Sequence, residues 1–131
     1  MTREIHRGTG LVLLADDEDL VREVALRMLR RLGYDVDAVP DGVEAVARVM
    51  DAPAKYDLAL LDGNMPRMTG REAAVLIHEV SPGTPLVLAT GFLDPAEAEN
   101  LAVYGFSAAI AKPYNLSELS RVVAEWIRVA R

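Results

Sequence analysis

Four short apolar runs in this chain each stop at a polar residue capable of chemistry. LVLLA at 11–15 runs into Asp16 and Asp17, LALL at 58–61 into Asp62, LVLA at 86–89 into Thr90 and Gly91, and AAIA at 108–111 into Lys112. If the fold gathers these run ends, three carboxylates meet. They repel one another by about 4 kcal/mol per pair at 4 Å and an effective dielectric near 20, so one must take up a proton or all must share a divalent cation. Mg2+ suits such a site: it takes oxygen ligands, keeps several waters and bridges to phosphates. With no cysteine in the chain, no His–Cys set favours zinc. Lys112 adds a compact positive charge, the Thr90 hydroxyl can donate to an oxyanion, and Gly91, lacking Cβ, lets its amide be approached closely. A carboxylate nucleophile, a metal, a lysine and a hydroxyl form a phosphoryl-transfer set.

Taken singly, each residue has a plainer reading. Asp16, Asp17 and Asp19 precede a helix and could cap it, Asp62 could be a turn residue, Thr90 a strand-end hydroxyl and Lys112 a solvated charge. His6 sits in the polar lead-in and His78 on the water-facing side of a helix, so neither is a candidate. The case rests on joint occurrence at four strand ends.

The elements that must position these residues alternate along the chain. Strands are expected at Leu11–Ala15, Leu58–Leu61, Pro85–Ala89 and Ser107–Ala111, short and mainly apolar, with a weaker one at Asp35–Val39. A helix is expected over about 19–32, with a stripe at Val21, Ala25, Met28 and Leu32 and Gly33 just beyond its end. Asp41 with Glu44, Thr69 with Glu72, and Asn115 with Glu118 have the spacing of helix N-caps. Asp94-Pro95 with Glu97 opens another helix, which Gly105 closes. The third helix carries Ala73, Ala74, Leu76 and Ile77 inward, and the last Leu116, Leu119, Val123, Trp126 and Ile127. Five strands alternating with five helices imply an α/β fold, a parallel sheet doubly wound with helices on both faces. Strands apolar at nearly every position suit a sheet covered on both sides. The expected order is 2-1-3-4-5, the flavodoxin-like arrangement, whose ligands bind at the carboxyl ends of the strands. Alternation alone does not dictate that order.

The 131 residues suffice for one domain, expected over 10–131 behind a tail or linker at 1–9. A net charge of -6 argues against direct binding to nucleic acid or anionic lipid. No run approaches the roughly 20 apolar residues of a membrane span, and no signal-peptide core opens the chain. The absence of cysteine fits a cytoplasmic protein.

LLADDED at 13–19, LALLDGNMPRMTG at 58–70, LVLATGF at 86–92 and AAIAKPY at 108–114 together resemble the receiver domain of two-component response regulators, from about Gly8 to Arg131. The resemblance implies the receiver fold and a phosphoacceptor role: a sensor histidine kinase or a histidine phosphotransfer domain donates a phosphoryl group to Asp62, forming an aspartyl phosphate. It further implies Mg2+ held by Asp17, by Asp16 directly or through water, by Asp62 and by the Asn64 backbone carbonyl. Thr90 and Lys112 would bind the phosphoryl group, aided by backbone groups of Gly63, Asn64 and Gly91. Met65-Pro66 and Gly70 would shape the loop, and the Lys112–Pro113 bond would be cis. Such a domain catalyses only its own phosphorylation and dephosphorylation. Its output, through the surface of the fourth helix, fifth strand and fifth helix, goes to a downstream protein or to another domain of a longer chain. The GTG lead-in and the AVYGFSAAIAKPY ending resemble receivers of hybrid sensor histidine kinases; a single-domain regulator is the alternative. One position departs from the family: three residues before the lysine, where a large ring is usual, stands Ala109. The usual coupling of threonine to ring is therefore in question, and the loop after Thr90, with Phe92, becomes the candidate carrier.

Two rival classes share the architecture. A haloacid dehalogenase-type phosphatase also uses an Asp nucleophile with Mg2+ but wants a second Asp two positions on, where Asn64 stands. A flavin mononucleotide carrier needs a Ser/Thr-rich loop after the first strand, where ADDED stands.

Overall fold

The structure, a computed structural model, describes residues 5–128. Five strands, β1 (Leu11–Ala15), β2 (Asp35–Val39), β3 (Leu58–Asp62), β4 (Leu86–Thr90) and β5 (Ala108–Ala111), alternate with five helices, α1 (Asp19–Arg31), α2 (Gly42–Asp51), α3 (Gly70–Val80), α4 (Pro95–Tyr104) and α5 (Leu116–Trp126). All neighbouring strands are parallel, in the order β2-β1-β3-β4-β5. This is the expected doubly wound sheet. β3 gains Asp62, and β4 shifts by one residue to include Thr90, which pairs with Ala111.

Alternate strand residues build two cores. Leu13, Ala59, Leu61, Leu86 and Leu88 face α2 and α3. Val12, Leu14, Leu58, Leu60 and Val87 face α1 and α5. β3 and β4 are buried at every position, so the strands that deliver Asp62 and Thr90 are covered on both faces.

The helix starts follow the cap chemistry in the sequence. Asp41, Thr69, Asp94 and Asn115 each accept the backbone N–H three residues on, and Thr69–Glu72 and Asn115–Glu118 form full capping boxes. Gly105 ends α4 at φ +96. Three stripes differ from expectation. In α1 the fully buried line is Ala25, Leu29 and Leu32, with Val21 and Met28 only half-buried, because that flank opens on a groove rather than on the sheet. In α3 Leu76 is exposed, about a third of a turn off the face that meets the sheet; in α5 Val122 is buried, while Trp126, the last residue of the helix, lies 38% exposed. α4 has no fully buried residue.

Of the expected tail, residues 1–4 lie outside the described part. Residues 6 and 8 pack on the domain: the Gly8 N–H donates to the Leu32 carbonyl (2.9 Å) and the His6 N–H to Ser120 Oγ (3.2 Å).

Gly70 closes the loop after β3 against the strand itself. Its N–H donates to the Gly63 carbonyl (3.1 Å), and a Cβ there would lie 2.4 Å from the Asp62 carbonyl oxygen. Backbone cannot yield cheaply, so Gly70→Ala is expected to cost about 2–3 kcal/mol. Gly91→Ala, where a Cβ meets nothing within 4 Å, should stay within about 0.5 kcal/mol of wild type. Urea unfolding of both variants checks the pair; equal stability would contradict the steric account.

Candidate active site

The parallel register carries the polar run ends to one edge of the sheet. Ala15 pairs with Leu61, Asp62 with Ala89 and Thr90 with Ala111, and the Lys112 N–H donates to the Thr90 carbonyl (2.8 Å). Carboxylate oxygens of Asp16, Asp17 and Asp62 all lie within 4.8 Å of one another. Asp16 and Asp62 are buried, while Asp17 is exposed at the mouth.

Lys112 bridges the cluster. Its Nζ lies 3.0 Å from Asp16 Oδ2 and 3.3 Å from Asp62 Oδ1. Burial disfavours the ammonium, but the two carboxylates outweigh it and hold Lys112 above its ordinary pKa. Burial pushes Asp62 up to about 6; Lys112 opposes the rise, and the charge of Asp16 and a hydrogen bond with Asp17 add to it. Tyr114 is pushed up to about 12, first by burial and then by Asp16 and Asp62.

The capping alternative for the acids holds only for half of one residue. The N-cap position of α1 is Glu18, with no side-chain cap. Asp16 Oδ1 accepts the Glu18 N–H (3.0 Å), which leaves Oδ2 to Lys112. Arg22 donates to the Asp16 carbonyl (2.8 Å) and pairs with Asp19 (2.7 Å), fixing the turn.

The hydroxyl and backbone donors differ from the expectation in detail. Thr90 Oγ1 donates to the Phe92 carbonyl (2.9 Å) and accepts the Phe92 N–H (3.3 Å), so it is held in its own turn. The Gly63 N–H donates to the Ala89 carbonyl (2.9 Å), one step beyond the β3–β4 ladder. Gly63 is therefore committed to the sheet and not presented to a phosphate; Asn64, exposed on the loop, and Gly91 are left as backbone candidates. Nor does Gly91 need to be glycine for space, as a Cβ there meets nothing within 4 Å. The Lys112–Pro113 bond is cis. Ala109 pairs with Leu88 and is half-buried, and Phe92 points out at 73% exposure.

Two site residues escaped the sequence reading, Tyr114 and Arg22. The spacing of Asp19 and Arg22, three apart on a helix, was the available signal for the second; Tyr114 closes the AAIAKPY motif, but nothing local marked its burial near the acids.

An all-oxygen set around one lysine fits a hard divalent cation. The family model described as the response regulator receiver domain matches residues 12–124. The chain belongs to that family. It is similar to the two-component response regulator ORR41 of Oryza sativa subsp. japonica, 36% identical over 117 residues, which cover 88% of this chain and 92% of that protein. It is also similar to the sensor kinase CckA of Brucella abortus, 32% identical over 123 residues, 92% of this chain and 13% of that one. The first curated relatives are far longer, and the chain spans 13–17% of their length. Among solved structures, the receiver domain of the sensor histidine kinase PA1611 from Pseudomonas aeruginosa, with a magnesium ion in its active-site cleft, superposes with a TM-score of 0.80 at 30% identity, covering 91% of this chain and 98% of that one. Receiver domains serve two-component signalling, in response regulators and in hybrid kinases alike; the phosphatase and flavin readings give way to this one.

The raised pKa of Asp62 makes metal-free stability depend on pH. A carboxyl at about 6 when folded and 3.8 when unfolded binds its proton more tightly in the folded state, so its contribution falls as pH rises through that interval. Thermal melts of metal-free wild type and Asp62→Asn across this range should show the gap widening in favour of the variant as pH rises. A constant gap would contradict the assignment.

Proposed function

We propose that this receiver domain accepts a phosphoryl group from a phosphohistidine onto Asp62. The observation that carries the reading is Lys112 held against both Asp62 and Asp16 where three carboxylates come within 4.8 Å of one another. An Asp62 oxygen attacks phosphorus, the phosphorus–nitrogen bond of the donor breaks, and its electron pair stays on the imidazole nitrogen. The product is an acyl phosphate on Asp62. Bound Mg2+, held by Asp17, Asp62, the Asn64 backbone carbonyl and Asp16 directly or through water, would offset the charge of the phosphoryl oxygens. Lys112 sits beside the attacked carboxylate and is placed to pair with the incoming group. The Thr90 hydroxyl reaches a phosphoryl oxygen only by releasing the Phe92 carbonyl, which ties arrival of phosphate to the 91–94 loop. The Asn64 and Gly91 amides complete the cradle. Positioning and charge neutralisation are most of what this transfer requires.

The donor is a histidine kinase or a histidine phosphotransfer domain, and an apolar groove beside the site gives it a seat. A cavity of about 390 Å³ lies between α1 and the segment after β5, lined by Leu20, Val24, Met28, Pro113 and Tyr114, with Lys112 at its edge. Leu20 is 76% and Val24 44% exposed. Because Lys112 borders both groove and pocket, a partner seated there brings its phosphohistidine to Asp62. The output leaves by the face of α4, β5 and α5. The domain works in the cytoplasm, as part of a hybrid sensor kinase or as a single-domain regulator; among the described residues no helix is long and apolar enough to cross a membrane.

With Mg2+ and acetyl phosphate, intact mass of the wild type should rise by one phosphate and Asp62→Asn should stay unlabelled; equal labelling rejects the assignment. Leu20→Glu should slow transfer from a cognate phosphohistidine protein by about tenfold, a loss of ~1.4 kcal/mol in recognition, and leave acetyl phosphate labelling unchanged. Equal slowing with both donors would move the docking site elsewhere.

A further inference from the structure

The loop from Gly63 to Thr69 carries Asn64, and its conformation is unusual. The Met68 N–H donates to the Pro66 carbonyl (2.7 Å), closing a three-residue turn. At its centre Arg67 has φ +66. A γ-turn with positive φ at its centre is rare and strained, and a residue with a side chain stays in it only where its surroundings hold it. Glycine would adopt this backbone without steric cost; here the position spends that freedom on an arginine.

That side chain reaches back to α2. The Arg67 guanidinium forms an ion pair with Asp41 Oδ2, while Asp41 Oδ1 caps α2 by accepting the Glu44 N–H (2.9 Å). Asp41 is only 7% exposed, and the Arg67 hydrogen bond, then the Glu44 amide, hold its carboxyl below the usual range. One buried carboxylate thus fixes a helix start with one oxygen and a loop with the other. The loop is pressed on from the same side: a Cβ on Gly42, the first residue of α2, would lie 2.8 Å from the Met68 carbonyl oxygen. On the other side of the turn Met65 is buried in the core. Met65 and Arg67 are therefore both pinned, and Asn64 precedes them directly.

We propose that Arg67 is a positioning residue: its ion pair with Asp41 holds the bent loop that presents the Asn64 backbone to the Asp62 pocket. The inference rests on the role given to Asn64 under the proposed function. The Arg67 side chain is itself exposed, so the pair adds little to the stability of the fold; it acts on the loop, because Asp41 is buried and already immobilised by the cap. Loss of the clasp lets the turn relax, and the cost falls on cation binding rather than on the fold.

Arg67→Gly removes the clasp yet suits the backbone, and Asp41→Asn keeps the cap while losing the charge. Mg2+ titrations followed by melting temperature and by the Asn64 amide resonance give the binding midpoint. Acetyl phosphate labelling at low and at saturating Mg2+ separates binding from transfer. Both variants should need about tenfold more Mg2+, the size of effect found when a ligand's supporting partner is lost. Labelling should recover at saturation, and metal-free urea stability should stay near wild type. A wild-type Mg2+ midpoint in Arg67→Gly overturns the inference, as does a shift matched by an equal loss of metal-free stability. Failure of the wild type to gain phosphate would instead sink the Asp62 reading, while its Mg2+ midpoint would still be measurable.

Discussion

Like charges packed into a water-poor edge of the sheet are the condition on which this molecule is arranged. Asp16 and Asp62 are buried side by side, Asp17 closes over them, and one ammonium, from Lys112, stands between the two buried acids. Burial still pushes Asp62 up to about 6 against the pull of that ammonium. A pocket left with excess negative charge and oxygen ligands attracts a hard cation, and with it an anion that would otherwise be repelled. The pocket exists only because β1, β3, β4 and β5 are contiguous in the sheet, and that contiguity in turn needs helices over both faces.

Around this edge the structure divides into parts packed on every side and a part with little buried surface. β3 is buried along its length, and Gly70 packs backbone against backbone at the end of it. The opposite side of the pocket is looser. α4 has no fully buried residue, and Thr90 spends its hydroxyl on the loop that leads there. Regions with few buried apolar contacts open at low cost, and the β4–α4 segment is such a region. Ala109, two residues along β5 from the pairing partner of Thr90, brings no ring to this side of the sheet. The exposed Phe92, whose backbone grips the Thr90 hydroxyl from both sides, ties that hydroxyl to the surface instead.

The fold was legible because its signals are local. Apolar runs in four of the strands, N-caps with their acidic partner three residues on, and Gly105 after the α4 pattern depend only on near neighbours. Period 3.6 defines a face, but which edge of that face meets the sheet, and how far along the helix the cover extends, depend on the neighbouring element. Leu76 fell outside and Val122 inside for the first reason, and Trp126, at the end of α5, fell outside for the second. At the site, the acids, the lysine and the threonine were legible because each ends an apolar run. Tyr114 was not, since its burial against the acidic pair is created by chain distant in sequence.

By itself the sequence determined which chemical groups arrive at the ends of buried strands, since side-chain type and apolar patterning are properties of short segments. Tertiary structure alone decided which of those groups are already engaged. The Gly63 amide is taken by β4, the Thr90 hydroxyl by its own turn, and one oxygen of Asp16 by the start of α1. It also decided the link between Asp41 and Arg67, 26 residues apart. A hydrogen bond needs its two atoms within about 3 Å, and only the folded chain brings distant residues that close.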